Sequence, residues 1–268
     1  IEGSSGYTNN DYTDNYGGTS SATPLASGVI ALILEANANL TWRDVQHILV
    51  HSARVNDAND NSWGLNGAGH DVSHKYGFGA VDAGRAVALA ENWTSVDPAM
   101  NITSGTRTVN SAIPDNSAPG INDTVTINDG LRIEHVEVYV DIDHTYRGDL
   151  IITLTSPSGT ESTLAQKQSD SNNNYRNWMF STVHNWDEMS NGNWTLNVED
   201  DGNGDTGTWN DWELVIHGVP TILDSDGDGL TNENETDVHG TDPYDIDTDD
   251  DDLTDYEEVT VTNTDPLD

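Results

Sequence analysis

The spacing of apolar residues changes twice along the chain, and each change marks a different kind of structure. In "SSATPLASGVIALILEAN", residues 20–37, apolar side chains fall on nearly every face of a helical projection. That pattern predicts a buried helix over Ala22 to Ala36. Pro24 sits in its first turn, where a missing N–H costs little. "LTWRDVQHILVHSAR" predicts a second helix. Thr41 is its expected N-cap, with the Asp44 carboxylate placed to favour the positive helix end. "HKYGFGAVDAGRAVALAENW" predicts a glycine-rich turn and a third helix from about Ala80 to Asn92. Residues 1–93 therefore have an α/β texture.

From Thr94 to Pro220 the period becomes two. Val136, Val138, Val140 and Ile142 share one face of "IEHVEVYVDI". Leu150, Ile152 and Leu154 do so in "DLIITLTSPSGT", which closes on a Pro157-Ser158-Gly159 turn. "NWTLNV" and "WELVIHG" alternate in the same way. Short alternating strands separated by turn signals predict an antiparallel β-sandwich over 94–220. Trp178, Trp186, Trp194, Trp209 and Trp212 are expected in its core rather than on a sugar-stacking surface.

Composition sharpens the picture. The chain has 268 residues, 47 acidic and 9 basic side chains, a formal net charge of −38 and no cysteine. Disulfides, thiolate catalysis and cysteine-type zinc sites are thereby excluded. Nucleic acid and anionic membrane surfaces are poor partners for such a charge, because phosphate binding requires clustered Lys and Arg. Cations and basic substrates suit it. No apolar run is read as long enough for a membrane span. The chain opens without Met or a signal peptide and reads as a piece of something longer.

Residues 221–268 contain no Lys or Arg and many Asp. Composition alone allows a disordered acidic tail, but the spacing argues for metal loops. "DSDGDGLTNENE" sets Asp224, Asp226 and Asp228 at alternate positions, Gly229 at the sixth and Glu235 at the twelfth. This satisfies the calcium-loop pattern in full. Calcium takes six to eight oxygens. Alternate carboxylates, the Leu230 carbonyl, the Asn232 side chain and a bidentate Glu235 would supply them. "DTDDDDLTDYEE" repeats the set as Asp247, Asp249, Asp251, Leu253, Asp255 and Glu258. Asp252 replaces the glycine there, in a turn that favours positive φ, so weaker binding is expected. The repeat spacing and the "GTDP" and "NTDP" punctuation resemble thrombospondin type 3 repeats, without EF-hand flanking helices.

Ser20 has two readings from the residues alone: an N-cap of the long helix, or a nucleophile. Gly18-Thr19-Ser20-Ser21-Ala22-Thr23-Pro24 resembles the G-T-S-x-A-x-P motif of subtilisin-like serine peptidases. "LILEANANLTWRDVQHILV" and "NGAGHDVSHKYGFGAVDAGRAVALAENW" resemble the end of the catalytic domain in the kexin and furin branch of that family. "RIEHVEVYVDIDHTYRGDLIITLTSPSGTESTL" and "NWMFSTVHNWDEMSNGNWTLNV" resemble the P domain that follows it there.

The resemblance implies an α/β catalytic fragment at 1–93, a jelly-roll-like P domain at 94–220 that braces it, and calcium repeats at 221–268. It implies a secreted, bacterial, serine-type endopeptidase with Ser20 as the acylating nucleophile. Cleavage after basic residues follows only from the family. Subtilisin-like enzymes order their triad Asp, His, Ser, so the Asp, the His and the oxyanion Asn would precede Ile1. The expected partners are then a peptide or protein substrate and the upstream catalytic segment. The fragment alone is expected to be inactive, since a serine without a base is a weak nucleophile. The alternative is a catalytically decayed, calcium-binding surface or adhesion module.

Other residues attract attention. His74 follows the serine and matches a structural turn of the family, so packing or a hydrogen bond is expected of it. His47 and His51, four apart on a helix, lack the carboxylate of a zinc-protease pattern and are expected in a core or surface role. Arg147-Gly148-Asp149 is read as structural, with Asp149 bonding to a turn. Asp141, Asp143, Asp200, Asp201 and Asp205 leave two readings open, further calcium ligands or ordinary acidic surface.

Overall fold

The computed structural model describes residues 17–220, 226–231 and 234–268. It divides into two compact units, the first ending at Val219 and the second running from Pro220 to Asp268.

Among the described residues of the first unit, three helices precede the long run of strands. α1 spans Thr19–Ala36, α2 Trp42–Ser52 and α3 Ala83–Ala90. α2 starts where its cap predicts: Asp44 N–H donates to Thr41 Oγ1 (3.2 Å), and Thr41 N–H donates back to Asp44 Oδ2 (2.7 Å). α3 is shorter than expected, because the Asp82 side chain caps it by accepting from Arg85 N–H at 3.0 Å. Ile33, Val45, Ile48, Ala86 and Ala90 form a small core between the helices. Beside the helices lies one two-stranded antiparallel hairpin, β1 (Gly64–Leu65) and β2 (Asp71–Val72).

Two expectations about α1 need correction. It is not a buried helix: Val29, Ile30, Ile33 and Ala36 face the small core, but Leu25 is 75% exposed and Leu32 and Leu34 are also exposed. Among the described residues nothing covers that second face. With 18 residues, α1 is also long and apolar enough, by length and composition, to cross a membrane. The packing of one face against α2 and α3 is that of a core helix.

Nine strands follow: β3 (Met100–Thr103), β4 (Arg107–Ile113), β5 (Ile121–Ile127), β6 (Leu131–His144), β7 (Leu150–Thr155), β8 (Glu161–Ala165), β9 (Tyr175–Thr182), β10 (Gly192–Asp200) and β11 (Gly207–Pro220). They form a sheet of order β5-β10-β7-β8 and a second of order β3-β11-β6-β9, with β4 also paired to β11. The registered pairs are antiparallel. The period-two residues point inward as expected. Val136, Val138, Val140, Ile142, Leu150, Ile152, Leu154, Trp194, Leu196 and Val198 are buried in one core between the sheets. Trp209 and Trp212 join it. Trp178 does not: it is 41% exposed, on the outer face of β9, under the Arg147 guanidinium.

In the second unit the described residues are ordered into short turns rather than long helices. They include π-helical turns at Asn234–His239 and Glu258–Thr262 and a three-residue helix, α4 (Asp255–Glu257), with a Thr254–Glu257 capping box.

Candidate active site and calcium loops

Gly18, not Ser20, caps α1. Its φ of 86° is open to glycine at little cost, and its carbonyl accepts from the Ser21 and Ala22 N–H groups at 3.1 and 3.3 Å. Ser20 is the second residue of the helix and is exposed. The N-cap reading is therefore set aside. A hydroxyl in the first turn lies beside the positive end of the helix dipole, where developing negative charge is favoured. No acidic side chain occupies that first turn.

In the second candidate calcium loop, Asp247, Asp249 and Asp251 bring one carboxylate oxygen each within 4.8 Å of one another. Backbone N–H groups fold the loop onto them: Asp252 N–H donates to Asp247 Oδ2 at 2.9 Å and Leu253 N–H to Asp251 Oδ1 at 2.9 Å. Glu258 is fully buried, and neither its Oε2 nor Asp249 Oδ2 has a hydrogen-bond partner. Burial and then the neighbouring carboxylates push both acids above their usual pKa: Asp251 and Asp247 act on Asp249, and Asp249, Asp251 and Asp255 act on Glu258. Such crowding, with buried oxygens to spare, fits a hard cation. Asp255 stands apart, since both its oxygens accept from Thr248 (2.9 and 2.7 Å).

In the first loop Asp224 and Asn232 lie outside the described residues. Asp226 Oδ1 accepts from Asp228 N–H at 3.1 Å and Asp228 Oδ1 from Leu230 N–H at 2.6 Å. Leu230 and Glu235 are buried. Asp228 Oδ2 also accepts from Tyr256 N–H at 2.8 Å, which ties the first loop to the end of the second.

Comparison with known proteins places these features. Residues 2–79 match the subtilase family and residues 133–216 the proprotein convertase P-domain. The chain joins a subtilase segment to a proprotein convertase P domain. Furin of Homo sapiens is 41% identical over 219 residues, which are 77% of this chain and 27% of furin. Proprotein convertase subtilisin/kexin type 5 of Homo sapiens is 38% identical over 255 residues, 87% of this chain and 14% of that protein. The chain thus spans about a quarter or less of these relatives. The serine protease of Aeromonas sobria, solved with its chaperone, superposes with a TM-score of 0.69 at 27% identity, over 76% of this chain and 44% of that one.

The subtilase segment and the P domain share a buried polar junction that sequence reading missed. Arg43 of α2 grips Glu134 of β6 through Nε and Nη2 (2.7–3.1 Å) and donates from Nη1 to the Asp97 carbonyl at 2.6 Å. His47 Nε2 also meets Glu134, at 2.8 Å. A second centre is Asp187, reached by His70 (2.7 Å), Arg132 (2.9 Å) and His51 (3.2 Å). A third is Glu188, which accepts from Gly67 N–H at 2.8 Å and Ser158 Oγ at 2.6 Å, and from Thr160 Oγ1. Burial opposes ionisation of all three acids, but these donors and charges outweigh it and hold each pKa below its usual range. The paired spacing of His47 and His51 was visible in sequence; their partners, some 90 to 140 residues away, were not.

The remaining residues have structural partners. His74 Nε2 accepts from Thr163 N–H at 3.2 Å and its ring lies 4.2 Å from that of His184. Arg147–Asp149 forms a single 3-10 turn in which Arg147 pairs with Asp170 at 2.8 Å and Gly148 is buried. The Asp149 side chain packs against Gly202. Asp141 and Asp143 are held by Arg176 and Asn210, Asp200 by His144 and Gly202 N–H, Asp201 by Lys167, and Asp205 by Thr145. Each has a protein partner for at least one carboxylate oxygen, which favours ordinary structural carboxylates over calcium ligands, although Asp200 is buried rather than on the surface.

Proposed function

We propose that this chain is the C-terminal part of a serine endopeptidase of the proprotein convertase type, with Ser20 as its acylating nucleophile. The observation that carries the reading is the exposed Ser20 one residue inside α1, behind a glycine cap, in a chain whose subtilase and P-domain matches follow in that order. Ser20 Oγ attacks the scissile carbonyl once a base takes its proton. The acyl-enzyme forms as the leaving amine departs, and water releases it. The base, its orienting Asp and the oxyanion Asn belong to an upstream segment that covers the exposed Leu25, Leu32 and Leu34 of α1. The P domain braces that assembly through Glu134, Asp187 and Glu188.

In this reading the two loops of 221–268 are thrombospondin type 3-like calcium sites. The ligands are Asp224, Asp226, Asp228, Leu230, Asn232 and Glu235 in one, and Asp247, Asp249, Asp251, Leu253 and Glu258 in the other, with Asp255 bracing the latter. An extracellular setting, with a chain free of cysteine and stiffened by calcium, suits this design. Cleavage after basic residues is the specificity to test first.

The test is covalent. A fluorophosphonate probe applied to the full-length protein should label the peptide that contains Ser20, and Ser20→Ala should abolish both label and peptide turnover. A folded full-length protein that takes no label would favour the decayed, calcium-binding module instead.

A further inference from the structure

The outer face of the P domain carries a cluster that neither catalysis nor the calcium loops use. His135 and Glu137 are two apart on β6, so they project from the same face of the sheet. His217 lies on the neighbouring strand β11. The His135 and His217 rings stack face to face, with centroids 4.2 Å apart and planes within 6° of parallel. His217 Nε2 approaches Glu137 Oε2 at 3.5 Å without a hydrogen bond, and it is shielded from water. One ligand atom from each of the three residues lies within 4.8 Å of the others.

We propose that His135, Glu137 and His217 form a site for a borderline divalent cation of the zinc class, held by two imidazoles and one carboxylate. The donor set is one that zinc accepts. At a metal–ligand distance of about 2.0–2.1 Å, two ligands of a tetrahedral ion stand about 3.4 Å apart, close to the separation of His217 Nε2 and Glu137 Oε2. A shared ion has to lie in the plane of each imidazole, so binding would require the stacked His135 and His217 rings to fan apart from the arrangement seen here. Glu137 is already oriented, because its Oε2 accepts from Tyr139 Oη at 3.0 Å; such outer partners fix metal-ligating carboxylates. A shielded imidazole nitrogen with no hydrogen bond is costly to leave unmatched, and a cation would satisfy it. The ion would join β6 to β11, the central strands of their sheet.

The experiment is calorimetric titration of the chain with Zn²⁺ while excess Ca²⁺ occupies the acidic loops, with Co²⁺ as a visible-spectrum reporter of nitrogen ligation. The expected result is one zinc equivalent whose affinity falls about tenfold or more in His217→Ala and in Glu137→Gln. Tetrahedral Co²⁺ absorption should disappear in both variants, while their metal-free melting curves stay close to the parent's. His51→Ala should leave binding unchanged. The proposal is overturned if the parent chain binds no zinc, if both variants bind as the parent does, or if His51→Ala removes the site, which would move it to His47, His51 and Asp187.

Discussion

At the junction, buried Glu134 and partly buried Asp187 lie beside arginines and histidines; in the acidic repeats, Asp249 and Glu258 sit among other carboxylates. The two regions use the same functional group under opposite electrostatics. Protein cations hold the junction acids below their usual pKa. In the loops, burial and like charges push Asp249 and Glu258 above it. The junction therefore carries its own counter-charge, whereas the loops, on the function proposed above, take theirs from calcium. Separation of the chain into two compact units agrees with this division of labour.

The largest expected effect comes from breaking the self-sufficient side. Glu134→Ala leaves Arg43 buried without its partner. Removing one member of a buried pair costs about 3–5 kcal/mol, so urea unfolding of the chain should shift by that amount. Glu258→Ala in calcium-free buffer should show no such loss, because it removes a crowded charge. If the two variants lose equal stability without calcium, the contrast fails.

Calcium removal tests the other side. A ligand at one hundred times its Kd stabilises the bound unit by about 2.7 kcal/mol. Chelation should therefore speed hydrogen exchange and proteolysis across 226–268 and leave the sandwich strands protected. Exchange that responds equally in both units would mean that calcium acts elsewhere.

Acid should act on the junction rather than on the loops, and less strongly over an accessible range. Glu134, Asp187 and Glu188 have depressed pKa values in the folded state. Their contribution is complete above the unfolded carboxylate value of about 4 and is lost as pH falls through the lower folded values. Melting temperature in calcium should hold from pH 7 to about 5 and decline below about 4. The slope should be shallower in Asp187→Asn. A slope that does not change would place the acid sensitivity outside the junction.

How much of this was legible follows the range of each interaction. The strands of the sandwich were readable because a pleated strand writes its buried face at every second residue, as Val136, Val138 and Val140 show. The α2 start was readable because its capping box is local. α1 was misread: an apolar helix encodes that it must be covered, not that its cover lies among these residues. The Glu134 and Asp187 centres were invisible because their donors come from distant segments, and no single window shows that Arg43 and Glu134 will meet. Trp178 was misplaced because β9 turns it to the outer face, under Arg147.

The finest test of the comparison lies within the repeats. The fourth and sixth positions of the first loop are Gly227 and Gly229, with φ of 81° and 112°. The same positions of the second loop are Asp250 and Asp252, with φ of 61° and 75°. Both loops therefore require left-handed backbone at these two places, and only the first supplies glycine for it. For a residue with a Cβ that conformation costs about 1–2 kcal/mol, less for Asp than for most. Asp252→Gly removes the strain, but glycine also loosens the unfolded chain by about 0.4–1 kcal/mol. The net gain should be under about 1 kcal/mol, seen as a few-fold tighter calcium affinity of the second loop by calorimetry. Asp250→Gly should act in the same direction. The converse, Gly229→Asp, adds a Cβ 3.1 Å from the Tyr256 ring as well as the strain, so it should weaken the first loop by more than Asp252→Gly strengthens the second. Equal and opposite effects would show that backbone conformation alone separates the loops; a larger loss at Gly229 would show that packing of the first loop on Tyr256 contributes as well.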